Sequence, residues 1–180
     1  DPTKKSYDIF LRAWMPLLEP KNKIITICIT DRKTDNRIYS KHINCIRIME
    51  ENNWTLASHK IWIKSFEVNK HKLNYMHIMT FTKKPIITDS YPDVMIDPTI
   101  NEKQTAPRSY HYKGFRFSMS LEVCKTLILN HTKLSDTVYD PFMGSGTTAI
   151  ASILTNRKYS GSEISREYTN LAKERIAEYT

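Results

Sequence analysis

At 180 residues and 21.1 kDa the chain is long enough for one domain with its own hydrophobic core. With 40% hydrophobic and 26% charged residues, four glycines and eight prolines, its composition excludes wholesale disorder and leaves little room for low-complexity linkers. Lys and Arg number 27 against 19 Asp and Glu, a formal charge of +8 that favours a polyanionic partner, nucleic acid first; the residue usage of an A+T-rich genome is the plainer source of the same excess.

Cys28, Cys45 and Cys124 are odd in number, far apart and without histidines at metal spacing, which argues against a disulfide framework and a zinc site and fits a reducing, cytoplasmic setting. No apolar run approaches the roughly 18 to 20 residues that span a bilayer, and residues 1–5 do not open a signal peptide.

In chain order, Tyr7, Phe10, Trp14 and Leu17 recur at helical spacing and predict an amphipathic helix over residues 5–18, its last turn kinked or ended by Pro16. Residues 23–30 (KIITICIT) are β-branched and nearly continuously apolar, the pattern of a central strand covered on both faces of a parallel sheet. Ile43, Ile46 and Met49 predict a helix over residues 40–51, ended by Asn52-Asn53. Residues 60–66 and 75–81 read as an antiparallel hairpin at a sheet edge. Residues 84–114, with Pro85, Pro92, Pro98 and Pro107, have no sustained periodicity and are expected to form an irregular excursion. Regular patterning returns with a helix marked by Leu121, Cys124, Leu127 and Ile128, a strand at 137–139, a helix at 147–154, a short strand at 158–162 and a last helix capped by Ser165.

The tail therefore reads strand, glycine turn, helix, strand, acid, helix. Gly144-x-Gly146 between a strand and a helix lets the backbone approach a ligand and presents helix N-terminal amides to it. Glu163, seventeen residues after Gly146, stands where an acid can accept the hydroxyls of a ribose. Three readings of this pattern compete: a purely structural tight turn with a solvated acid, a nicotinamide dinucleotide site through Gly-x-Gly-x-x-Ala (144–149), and an S-adenosylmethionine site. A P-loop is excluded because no Gly-Lys-Ser/Thr follows the turn. Asp140 speaks against a pyrophosphate, which its carboxylate would repel, and for the ammonium and sulfonium of S-adenosylmethionine.

Asp140-Pro141-Phe142-Met143-Gly144-Ser145-Gly146-Thr147-Thr148 resembles the first motif of the DNA amino-methyltransferases, Asp-Pro-Phe-x-Gly-Ser-Gly-Thr-Thr, at all eight specified positions. The stretch Tyr159-Ser160-Gly161-Ser162-Glu163-Ile164 and the helix after it resemble the usual end of their permuted β group, and Trp54, Trp62-Ile63-Lys64 and the strand at 75–81 resemble its upstream hairpin. The resemblance implies an α/β fold: a Rossmann-like class I methyltransferase sheet with helices on both faces and an antiparallel edge hairpin, incomplete in this chain. Residues 1–180 would be one methyltransferase domain, with a target-side half at 1–83, an irregular DNA-recognition segment at 84–117 and a cofactor half at 118–180.

By the same resemblance the cofactor is S-adenosylmethionine, held by Asp140, Phe142, Gly144, Ser145, Gly146, Thr147, Thr148 and Glu163, with Ser118 joining them. Arg116-Phe117-Ser118-x-x-Leu121 departs from the Arg-Phe-Pro-x-x-Leu-Pro form of several cytosine-N4 enzymes, lacking both prolines. Lys103, Arg108, Lys113 and Arg116, alternating with Tyr110, Tyr112, Phe115 and Phe117, are the expected DNA contacts, the alternative being a charged loop with aromatics in the core. The expected partner is double-stranded DNA with its target base, cytosine or adenine, flipped out of the stack; a homodimer or a partner subunit stays open. The family's catalytic tetrapeptide, Asp/Ser/Asn-Pro-Pro-Tyr/Trp/Phe, does not occur in the 180 residues. The chain is therefore expected to be truncated before its helix at 5–18, or to be a non-catalytic DNA-binding or assembly subunit, and no catalytic residue is assigned. His77 and His131 read as structural, and no metal is expected.

Overall fold

The computed structural model describes residues 2–18, 24–34, 37–64, 66, 73–84, 91–96 and 119–180. The chain divides into two compact units, one of residues 1–87 and 92–96, the other of residues 88–91 and 97–180.

In the first unit, helix α1 (Pro2–Trp14) passes into a 3-10 turn (Met15–Leu17) with Pro16 in its first positions, where a missing N–H costs nothing. Strand β1 (Ile24–Ile29) is followed by the short antiparallel pair β2 (Arg32–Thr34) and β3 (Arg37–Tyr39), then by helix α2 (Lys41–Glu51). Asn53, at φ 62, takes the left-handed conformation that asparagine tolerates and turns the chain into β4 (Thr55–Ile63). Strands β5 (Tyr75–Thr82) and β6 (Val94–Ile96) complete a sheet of order β1-β5-β4-β6, with β5 antiparallel to both neighbours and β6 parallel to β4.

Three expectations are corrected here, the first being that residues 84–114 form only an irregular excursion, since β6 lies within them and pairs with β4. The strand at 23–30 pairs antiparallel, with β5 as its one partner among the described strands, and only Ile29 of it is buried. The hairpin at 60–66 and 75–81 is antiparallel as expected but is not an edge: β5 lies between β1 and β4, and its residues from His77 to Thr82 are buried on both faces. Met79 and Phe81 on one face meet Leu11 and Met15 from α1 and its turn, Cys45, Ile48 and Met49 from α2, and Trp54, which together form the core of this unit. The alternate residues Ile78 and Thr80 are also sealed, and Thr80 shares a hydrogen bond with Thr26 across the strands at 3.1 Å.

In the second unit, helix α3 (Leu121–His131) is capped by the Ser120 hydroxyl, which accepts the Val123 N–H at 3.3 Å. Strands β7 (Thr137–Asp140) and β8 (Lys158–Gly161) are parallel and joined through helix α4 (Thr147–Leu154), a β-α-β unit; helix α5 (Arg166–Ala177) follows. Ser165 accepts the Tyr168 N–H at 3.3 Å, the cap its sequence position predicts. Cys124 and Ile128 of α3 pack on Ala151 of α4. All three cysteines are free thiols.

Candidate cofactor site

The site is the turn between β7 and α4. Gly144 (φ 53) and Gly146 (φ 84) both take left-handed backbone, which a side chain would strain, and the Gly146 N–H closes the turn on the Met143 carbonyl at 2.9 Å. Gly146 is also the N-cap of α4, so no side chain caps that helix. A Cβ on Gly144 would meet only the Phe142 carbonyl oxygen, at 3.8 Å, so glycine keeps the space beside the turn open.

Two carboxylates converge on this turn. Asp140, at the carboxyl end of β7, accepts the Phe142 N–H at 2.9 Å on one oxygen and the Thr148 hydroxyl at 2.6 Å on the other. Glu163, just beyond β8, accepts the Gly144 N–H at 2.8 Å on one oxygen and the Ser165 N–H at 2.8 Å on the other, tying the glycine turn to the start of α5. Each carboxylate oxygen retains accepting capacity beyond these bonds. Gly161 makes the convergence feasible: a Cβ there would fall 2.5 Å from the Asp140 carbonyl oxygen and into the Met143 methyl group. With that position bare, the Met143 N–H reaches the Ser162 carbonyl at 2.9 Å and the ends of the two strands close together.

The back of the turn is held from α5. Arg175 donates to the Ser145 carbonyl at 2.6 Å, to the Ser145 hydroxyl at 2.8 Å and to the Thr147 hydroxyl at 3.4 Å. Ser145 and Thr147 are buried, whereas Asp140, Gly144, Thr148 and Glu163 are half-buried and Phe142 is 54% exposed. The expected set is thus brought together in one turn, but with a division of labour: the acids, Gly144 and Phe142 line its accessible side, and the Ser145 and Thr147 side chains face Arg175. Arg175 escaped the sequence reading because nothing local links it to a turn thirty residues earlier. Ile164, beside Glu163, is fully exposed, a property of the folded chain that its sequence position does not announce. Ser118 and the expected DNA contacts Lys103, Arg108, Tyr110, Lys113 and Arg116 lie outside the described residues.

A family model described as DNA methylase matches residues 5–174. The chain belongs to the DNA methylase family. Among relatives of this DNA methylase, the orphan methyltransferase M.BamHII of Bacillus amyloliquefaciens is 56% identical over 52 residues, covering 29% of the chain and 20% of the relative. The type II methyltransferase M.SmaI of Serratia marcescens is 25% identical over 143 residues, covering 71% of the chain and 48% of the relative. The match thus spans from a fifth to about half of the length of these relatives. Among solved structures, the cytosine-N4-specific PvuII DNA methyltransferase superposes with a TM-score of 0.75 at 16% identity, over 98% of the chain and 76% of its own. The M1.HpyAVI–SAM complex superposes with a TM-score of 0.65 at 22% identity, over 94% of the chain and 81% of its own. At these identities the superpositions establish the mixed α/β methyltransferase fold. No described helix is long and apolar enough to cross a membrane.

Proposed function

We propose that this DNA methylase chain binds S-adenosylmethionine at the β7–α4 turn and is the cofactor-binding part of an enzyme that methylates an exocyclic amine of a DNA base, cytosine N4 or adenine N6. The observation that carries the reading is the placement of two carboxylates, Asp140 and Glu163, on one glycine turn. Paired negative charge disfavours a pyrophosphate and favours a ligand that brings positive charge and vicinal hydroxyls. Glu163 would accept the ribose hydroxyls and Asp140 the methionine ammonium, while Phe142 and Ile164 offer exposed apolar surface to the adenine. Thr148 orients Asp140, and Arg175 fixes the turn from behind, so the site is preorganised before the ligand arrives. When bound, the cofactor supplies an electrophilic methyl group to the amine lone pair. The family model described as DNA methylase, the relative named as a type II methyltransferase and the SAM-bound structural neighbour support the same assignment.

Equilibrium dialysis with labelled S-adenosylmethionine is expected to give one saturable site per chain. Glu163→Gln keeps the shape and removes the charge from a hydrogen-bonding acceptor, a change of about 1.5–3 kcal/mol, so the Kd should rise about ten- to a hundredfold. Asp140→Asn should weaken binding comparably. Absence of saturable binding by the unmodified chain would sink the proposal.

A further inference from the structure

The ribbon of β2 and β3 is not hydrogen-bonded into the larger sheet of its unit: among the described strands each pairs only with the other, in the register Arg32↔Tyr39, Lys33↔Ile38 and Thr34↔Arg37. A lone two-stranded ribbon is marginally stable in water. This one is anchored at one end, where the Tyr39 hydroxyl donates to Asp8 of α1 at 2.9 Å and accepts from Asn44 of α2 at 2.7 Å. Residues opposite each other share a face, so Arg32 and Arg37 project from one face of the ribbon and Lys33 from the other. Arg32, Arg37 and Ile38 are exposed. Lys41, the first residue of α2, is half-buried with its Nζ 4.7 Å from the centre of the Tyr7 ring.

Residues 32–41 hold four cations, Arg32, Lys33, Arg37 and Lys41, against one acid, Asp35. Among the described residues Lys33, Arg37 and Lys41 make no ion pair. Asp31, next to Arg32, is buried and engages the backbone and ring of His42 through its two oxygens, at 3.1 and 2.7 Å. Burial first, then the positive charge of Arg32, keep the Lys41 ammonium below its ordinary range, against a smaller opposite pull from Asp31. Two like charges held this close gain from a shared anion, which relieves their repulsion and offsets the desolvation.

We propose that Arg32, Lys33, Arg37 and Lys41 make the β2–β3 ribbon and the start of α2 a docking surface for the phosphate backbone of duplex DNA, distinct in sequence from the segment at 84–117. The inference rests on the reading of the chain as part of a DNA-modifying enzyme. The shape and the charge of the ribbon select the occupant. A major groove about 12 Å wide admits a two-stranded ribbon and is flanked by a row of phosphates on each side, and this ribbon carries cations on both of its faces. The two guanidinium groups can each take a pair of phosphate oxygens, while the two ammonium groups act as point charges. Contacts of this kind set the position of the protein on the duplex and carry no sequence information themselves.

The test titrates the full chain against a fluorescently labelled duplex at salt from about 50 to 200 mM, read by anisotropy. Replacing the four cations by Gln is expected to flatten the slope of log affinity against log salt by about 3 to 4, since each phosphate contact contributes about 0.9. The double variant Lys33→Gln, Arg37→Gln lies outside the hydrophobic core, should flatten the slope by about 2, and decides the matter if the fourfold variant does not fold. The double variant Lys133→Gln, Lys158→Gln removes two exposed cations of the other unit and is expected to leave the slope unchanged. An unchanged slope in the folded Lys33, Arg37 variant, or an equal flattening in the Lys133, Lys158 variant, would overturn the proposal. So would polyglutamate competing as well as unlabelled duplex of equal charge, which would assign the ribbon to an acidic protein. S-adenosylmethionine binding, measured in parallel, tests the proposed function separately: its absence alongside a flattened slope sinks that function and sustains the ribbon.

Discussion

A Cβ at Gly146 would lie 3.1 Å from the Ala172 Cβ and 3.3 Å from its Cα, whereas a Cβ at Gly144 would meet nothing closer than 3.8 Å, although both glycines have positive φ. Left-handed backbone costs an L-residue about 1–2 kcal/mol, and forcing an extra carbon into a packed contact adds roughly 1–3 kcal/mol. Gly144→Ala should therefore lower stability by about 1–2 kcal/mol through backbone strain alone. Gly146→Ala should lower it by about 2–5 kcal/mol, since α5 must also shift away from the turn. Urea unfolding of the two variants checks the order, and a larger loss at Gly144 would contradict this account of the turn. At the same scale Arg175 is a positioning residue: it reaches the turn through Ser145 and Thr147, behind the two acids.

Helices α1 and α2 lie on the face of the sheet presented by Met79 and Phe81, and burial there pushes the Cys45 thiol up to about 12. Burial first, then Cys45, raises the Tyr7 hydroxyl above its ordinary range in the same place. Both groups are neutral when folded and ionise more readily when unfolded, so the stability tied to their protonation is complete below the unfolded thiol value of about 8.5 and falls as pH rises above it. The urea midpoint should therefore decline between pH 8 and pH 10, with a smaller decline in Cys45→Ala; equal declines would show that other groups are responsible. The elements themselves were legible wherever a period ran for two turns or more: α2 and α5 lie close to their expected bounds, α1 lies three to four residues earlier than expected, and Ser165 caps as its position implies. Strands β2, β3 and β6, three residues each, are shorter than any window in which alternation can show. The place of β1 was misread because a continuous apolar run marks burial but carries no information on which neighbour pairs with it or in which direction. The glycine turn and its two acids were legible because strand, glycines, helix and acid follow one another in sequence, and the Arg175 contact was not because it exists only once α5 folds back on the turn.

Charge is unevenly divided over the whole molecule. Residues 118–180 hold seven Lys and Arg against seven Asp and Glu, so the entire excess of +8 belongs to residues 1–117. A neutral cofactor region with two acids at its turn suits a cationic ligand, and the basic remainder suits a polyanion. Lys103, Arg108, Lys113 and Arg116 contribute half of that excess within fourteen residues that contain no acid. If these four neutralise DNA phosphates, each adds about 0.9 to the slope of log affinity against log salt, and together they cost roughly a hundredfold in affinity between 50 and 200 mM salt. Replacing all four by Gln should flatten the slope by about 3 to 4, measured by fluorescence anisotropy of a labelled duplex across that range. S-adenosylmethionine binding should stay unchanged in the same variant, because none of the four belongs to the turn. A slope that survives the replacement would place the DNA contacts among the other cations of the chain instead, and the segment at 84–117 would lose its proposed role as the recognition region.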